Sequence, residues 1–203
     1  MFLAAKALDT SRPVLDTSGY AHRVLESDIY DSHDYILTED FADGLDKFQR
    51  RHAVEDAPNR PIANHEVRQS GMFVNETRGA AMSVEYRGQP YFVSEMGGFR
   101  WNPAAENDDM ILTDDKNTVA SESKNSWGYG AAPQTMDDFY HRFEAVCGFL
   151  LDHPRIFGYC YTQLTDIFPE ENGLFGFDRT ARFSVAKLKA MQNRKAAIEN
   201  ETE

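Results

Sequence analysis

Gln89-Pro90-Tyr91-Phe92-Val93-Ser94-Glu95-Met96-Gly97-Gly98 is the stretch that decides how the rest of the chain is read. Tyr91 to Ser94 follow a proline and precede two glycines, and their aromatic and β-branched character is that of a buried parallel strand. A carboxylate, Glu95, stands at the strand's end. Burying a lone carboxylate is costly unless it is paired or hydrogen-bonded, and barrel enzymes place their chemistry at the carboxyl ends of their strands. Two readings stand at this point: a functional carboxylate, or a Glu that opens a solvated loop.

Working outward, 203 residues with 41% hydrophobic and 12% aromatic content suit one globular domain with a sizeable core. The net charge of -12 comes without a basic stripe, which argues against nucleic-acid binding, since phosphate contacts need clustered Lys and Arg. No apolar run approaches the roughly 18 residues of a membrane span. Met1-Phe2-Leu3-Ala4-Ala5 lacks the basic start and apolar core of a secretory signal, so a cytoplasmic location is expected. Cys147 and Cys160 form no CxxC or zinc pattern and are expected to be reduced core thiols. The acidic pairs Asp108-Asp109 and Asp114-Asp115 read as a solvated loop rather than a metal site, and no cofactor or metal is expected. Phe2 to Leu8 reads as the last turns of a helix that begins upstream, so the chain is expected to be a piece of something larger.

In order along the chain, Val14-Leu15-Asp16-Thr17-Ser18-Gly19 reads as a short strand ending in polar residues. Asp28 to Tyr35 is a second strand, closing in His33-Asp34-Tyr35. Phe41, Leu45 and Phe48 recur at helical spacing within a helix over 38–52, with Thr38 as N-cap. Residues 53–88 are expected to form an irregular excursion. After the strand ending at Glu95 comes a long loop over 99–134 that contains Trp101 and Trp127, of the length usual for a lid or pocket wall. Thr135 to Asp152 is an amphipathic helix capped by Thr135. Ile156 to Gln163 is a fourth strand, and a last helix covers about 183–198. Strand followed by helix or loop, four times over, predicts a parallel sheet. Asp16, His33 with Tyr35, Glu95, and Tyr161 with Gln163 would share one end of it.

These residues resemble a known family. Arg12 to Gly19, Asp28 to Tyr35, Tyr91 to Gly98 and Phe157 to Asp166, in that order, are similar to the second half of the catalytic domain of glycoside hydrolase family 2, the β-galactosidase, β-glucuronidase and β-mannosidase family. The resemblance covers nearly the whole chain. It implies a (β/α)8 barrel represented over 1–203 by its last four units, strands five to eight, with the earlier strands absent. It implies that Glu95 is the nucleophile of a retaining glycosidase, and that His33 and Tyr35 form the His-x-Tyr whose Tyr hydroxyl holds the nucleophile. Tyr161 and Gln163 stand where many relatives place a Trp beneath the sugar, which leaves the pocket floor open. Trp101 is read either as a sugar platform or as a loop anchor.

Retention needs two carboxyl groups roughly 5–5.5 Å apart. The family's acid/base is a Glu following an Asn at the end of the fourth strand, which would lie upstream of Met1. Asn75-Glu76 has those letters in the wrong place and is read as non-catalytic. Family members acting on glucuronic acid carry Asn-x-Lys after the eighth strand; here Asn172-Gly173-Leu174 has no Lys, so a neutral sugar is expected, galactosides first. The expected function is therefore β-galactosidase-like hydrolysis by a fragment of low or no activity. The alternative is an inactive half barrel that binds carbohydrate or serves in assembly. A half barrel would expose two open edges, from which a homodimer or pairing with the missing half is expected.

Overall fold

The computed structural model describes residues 1–19, 22–53, 74–75, 80–81, 84–101 and 126–200. In chain order the elements are α1 (Phe2–Leu8), β1 (Tyr30–Asp34), α2 (Phe41–His52), β2 (Val74–Asn75), β3 (Ala80–Ala81), β4 (Tyr91–Gly97), α3 (Met136–Asp152), β5 (Ile156–Thr162), α4 (Val185–Gln192) and a 3₁₀ turn, Ala197–Asn200. β1, β4 and β5 form a parallel sheet in that order, with β4 in the centre, and β2 pairs antiparallel with β3.

The expected half of a (β/α)8 barrel, with four strands, is not what the chain forms. It is an α/β fold with a small, three-stranded parallel sheet, and β1 takes the edge that Val14–Gly19 was expected to hold. The reason lies in side chains that take the backbone groups a ladder would use. Val14 N–H donates to Asp28 Oδ2 at 2.7 Å, and Asp16 N–H donates to Ser27 Oγ at 3.3 Å. Val14 to Gly19 thus runs as an irregular, bent segment. It is tied to β1 through side chains, as where Gly19 N–H donates to Asp31 Oδ2 at 2.7 Å.

The helices follow their caps. Thr135 Oγ1 accepts from Asp138 N–H at 3.0 Å and starts α3 as expected. For α2 the cap is Asp40, which accepts from Asp43 N–H, while Thr38 Oγ1 donates to Asp40 O at 2.6 Å, so the helix begins two residues later than a Thr38 cap implied. The last helix ends at Gln192.

Phe139, Phe143, Val146, Cys147 and Leu150 of α3 meet Tyr91, Val93 and Met96 of β4 and Phe48 of α2 in one core. Fully burying an apolar side chain of this size is worth roughly 1.5–3 kcal/mol. Phe183 stacks on Phe139 with centroids 3.7 Å apart. Cys147 belongs to this core, but Cys160 is exposed on β5, so only one of the two thiols is a core residue. Among the described residues no helix is long and apolar enough to cross a membrane.

Strict alternation along β4 would send Tyr91, Val93 and Glu95 to one face. Tyr91 and Val93 are in the core, yet Glu95 is not; Met96 takes the next core position. The register explains this. Ser32 pairs with Val93 but His33 with Glu95, and on the other side Val93 pairs with Tyr159 but Met96 with Tyr161, so β4 carries one extra residue against both neighbours. Such a bulge re-aims a side chain. It turns Glu95 out of the core.

Candidate active site

Glu95 sits near the carboxyl end of the central strand with its side chain 38% exposed. The Tyr35 hydroxyl donates to Glu95 Oε2 at 2.5 Å, and His33 Nδ1 lies 3.1 Å from the same oxygen. Parallel pairing places His33 directly beside Glu95, and Tyr35 follows β1 by one residue. Both partners present neutral groups to the carboxylate. Burial, then the neighbouring Tyr129 and the bond to Glu95, push the Tyr35 hydroxyl's pKa well up, so it stays protonated and a donor. Burial lowers the His33 pKa, and the charges of Glu95 and Asp31 only partly oppose it.

His33 is pressed into place by Gly19. A Cβ at Gly19, whose φ is +61°, would lie 1.8 Å from His33 Cδ2, so only glycine fits both the backbone and the ring. Behind His33 runs a buried polar chain. Asp16 Oδ1 is 2.6 Å from His22 Nδ1, and His22 Nε2 is 3.0 Å from the Asp31 carbonyl and 3.1 Å from its Oδ1. Ser94, the residue that β4 gains at the bulge, donates a short hydrogen bond to Asp31 Oδ2. Burial disfavours the charged form of His22, but the Asp31 and Asp16 carboxylates outweigh it and raise its pKa to about 9. Burial likewise works to raise Asp16, and the bonds from His22 and the Arg23 and Val24 amides hold it lower than usual. Asp16 is thus a positioning group for His22.

The other expected site residues divide. Gln163 Nε2 donates to Asn172 Oδ1 at 2.9 Å, and Asn172 Nδ2 to Glu170 Oε1 at 2.8 Å, which puts an amide–amide–carboxyl chain just beyond β5. Tyr161 is held elsewhere: its ring packs on Phe143 and Phe99 with centroids 5.2 and 6.4 Å away, and its hydroxyl accepts from Phe99 N–H. Trp101 packs on Phe183 at 6.2 Å, and its carbonyl accepts from Arg182 Nη1 at 2.8 Å, the contacts of a loop anchor.

Tyr129, Trp127 and Glu170 were not anticipated. Tyr129 stacks on Tyr35 at 3.7 Å and 11°, and Trp127 meets Tyr129 edge-on at 5.7 Å, an aromatic wall beside the carboxylate. Trp127 was visible only as one of two tryptophans in a long loop, and nothing in the sequence ties Tyr129 to Tyr35. Gly98 lets this wall close, since a Cβ there would lie 2.4 Å from Tyr129 Cδ2 and 3.1 Å from Asn172 Nδ2. Asp108, Asp109, Asp114, Asp115 and Glu76 lie outside the described residues, and Asn75 is in β2. Among the described residues no group of three His, Cys, Asp or Glu side chains is placed to hold a metal ion. A cavity of about 820 Å³ lies at the opposite end of the sheet, lined by residues such as Ile29, Pro90 and Phe157 near the strands' starts, so cavity size does not mark this site.

No family model matches the chain, and no curated protein matches its sequence. Among solved structures it is similar to Lactobacillus rhamnosus β-glucuronidase, with a TM-score of 0.50 and 14% identity over 97% of this chain. The likeness is one of fold. The chain spans 29% of that protein's length.

Proposed function

We propose that Glu95 is the nucleophile of a glycosidase-type site acting on β-linked sugars with retention. The observation that carries this reading is the geometry at Glu95 Oε2: a Tyr hydroxyl at 2.5 Å and a His nitrogen at 3.1 Å, on a half-exposed carboxylate at the end of the central strand. A nucleophilic carboxylate must be aimed and reachable, and a neutral donor on one oxygen aims it without closing off the group. The fold likeness to a β-glucuronidase supports the same class. In the reaction, Glu95 attacks the anomeric carbon, the aglycone leaves with its electron pair and takes up a proton, and water then releases the sugar from the ester. The second carboxyl that retention requires is assigned to no residue of this site, so the chain is expected to react slowly with ordinary glycosides.

A substrate whose leaving group needs no proton separates the two steps. Incubation with a 2-deoxy-2-fluoro-β-galactosyl fluoride, followed by mass spectrometry of the intact chain and its peptides, is expected to show one sugar attached at Glu95. The adduct should be absent in Glu95→Gln. Saturable sugar binding by the native chain with no adduct would instead leave a carbohydrate-binding module. The sugar is read as neutral, galactosides first, because the loop beyond β5 offers Asn172-Gly173-Leu174 and no lysine to pair with a uronic carboxylate.

A further inference from the structure

Glu170 lies on the loop beyond β5, and two sets of contacts hold it toward the Glu95 end of the sheet. On one side, Trp127 N–H donates to Pro169 O and Glu171 N–H to Trp127 O, both at 2.9 Å, so the backbone around Glu170 is clamped to Trp127. Trp127 in turn abuts Tyr129, which stacks on the Tyr35 that donates to Glu95. On the other side, the fully buried Asn172 takes Glu170 Oε1 with one end of its amide and Gln163 with the other. The Asn172 nitrogen lies against Gly98, three residues past Glu95. Among the described residues Glu170 Oε2 has no hydrogen bond, and the residue is only partly buried, so one oxygen is left for a ligand.

We infer that Glu170 determines sugar specificity at the Glu95 site: its free oxygen accepts hydroxyl hydrogen bonds from a neutral sugar, and its charge repels a uronic acid. The inference rests on the glycosidase-type reading above and goes beyond the missing lysine, because it assigns discrimination to a group that is present. Specificity of this kind comes from a repulsive element as much as from attraction. The electrostatics agree. Burial raises the Glu170 pKa, the Asn172 bond opposes this, and the charges of Glu95 and Asp166 add to the rise. A second anion brought between Glu95 and Glu170 would meet both charges. The hydroxymethyl of a neutral hexose meets an acceptor.

Methyl β-D-galactoside and methyl β-D-galacturonide differ only at C6, and NMR titration of the full chain with each tests the assignment. The native chain is expected to bind the neutral sugar at least about tenfold tighter, Glu170→Gln to narrow the gap by gaining galacturonide affinity, and Glu170→Lys to invert the preference. Galactoside binding with a preference that neither variant changes would overturn the inference and leave the glycosidase-type reading standing. Binding of neither sugar by the native chain would overturn both. A measurement independent of sugar binding follows the Glu170 carboxyl carbon through a pH titration. Its midpoint should fall in Glu95→Gln; an unchanged midpoint would mean that the two carboxyls do not share a site, and would also overturn the inference.

Discussion

Asp34 and Glu95 are carboxylates on adjacent strands, one residue apart in register, and they are held in opposite ways. Asp34 is buried and fully engaged: Arg51 binds it through Nε at 2.9 Å and Nη2 at 2.7 Å, and His52 Nε2 sits 2.8 Å from Oδ2. Burial alone would raise its pKa, and the charge of Arg51 with the His52 and Arg51 bonds brings it below the ordinary range. Among the described residues Glu95 has no cation against it beyond the His33 ring, whose pKa is lowered, and it keeps 38% of its side chain exposed. A carboxylate surrounded by cations is structural, because every oxygen is taken and the charge is cancelled. One held on a single oxygen by a tyrosine hydroxyl and a neutral imidazole keeps an accessible face, which is what a reacting group needs. Burial and pairing, rather than the presence of an acid on a strand, separate the two.

The contrast breaks most visibly under mutation. Asp34→Asn breaks the pair of Asp34 with Arg51, whose side chains are largely buried, and removing one member of a buried pair costs about 3–5 kcal/mol. Glu95→Gln keeps an oxygen to accept from Tyr35 and removes a half-exposed charge, so stability should change by less than about 1 kcal/mol. Urea melts of both variants read this directly. Equal losses would mean that Glu95 is as structural as Asp34.

How much of this was legible in the sequence differs between the two regions. Glu95, His33 and Tyr35 could be picked out because each sits at or just past the end of a strand whose apolar run is short and punctuated. The Tyr35–Glu95 contact was expected only from the family resemblance; the residue pattern alone does not give it, because it depends on parallel pairing between residues some 60 positions apart and on an extra residue in β4 that no alternation pattern shows. Val14 to Gly19 misled for the opposite reason: its apolar start and polar end imitate a strand, while the Asp28 and Ser27 side chains take its backbone N–H groups. Glu170 and Tyr129 lay on loops, where no periodicity marks a side chain's destination. Trp101 carried two readings from its residue type, sugar platform and loop anchor, and its ring contact with Phe183 and the bond from Arg182 to its carbonyl are those of an anchor.

A smaller effect distinguishes the two regions by pH. The cation paired with Asp31 and Asp16 is His22, with a pKa raised to about 9, whereas Arg51 beside Asp34 holds its charge at any accessible pH. The unfolded histidine titrates near 6.5. The stabilisation from charging His22 is therefore complete below about 6.5 and is lost as pH rises through about 9. Native melting temperatures are expected to fall between these values, and the fall should be reduced in His22→Gln, which cannot charge. A His22→Gln variant with the native slope would place the titrating group elsewhere.

The smallest effect on stability belongs to the Tyr35–Glu95 bond, and it sharpens the comparison most. Tyr35→Phe removes one hydroxyl from a carboxylate that water can still reach. The net loss should be about 1 kcal/mol or less, the usual worth of one hydrogen bond exchanged with solvent. Arg51→Met against Asp34→Asn removes a desolvated, bidentate pair, and neighbours coupled in that way show interaction energies toward the upper end of about 0.5–3 kcal/mol. Two double-mutant cycles, Tyr35→Phe with Glu95→Gln and Arg51→Met with Asp34→Asn, therefore should return a small and a large coupling on the stability axis. On the labelling axis the order reverses. If the hydroxyl aims Glu95 Oε2 during attack, Tyr35→Phe should slow adduct formation by about tenfold or more, since about 1.4 kcal/mol of lost transition-state stabilisation is a factor of ten. Folded Arg51→Met should label at close to the native rate. A Tyr35→Phe chain that labels as fast as the native one would reduce the 2.5 Å bond to packing and remove the main geometric support for Glu95 as nucleophile.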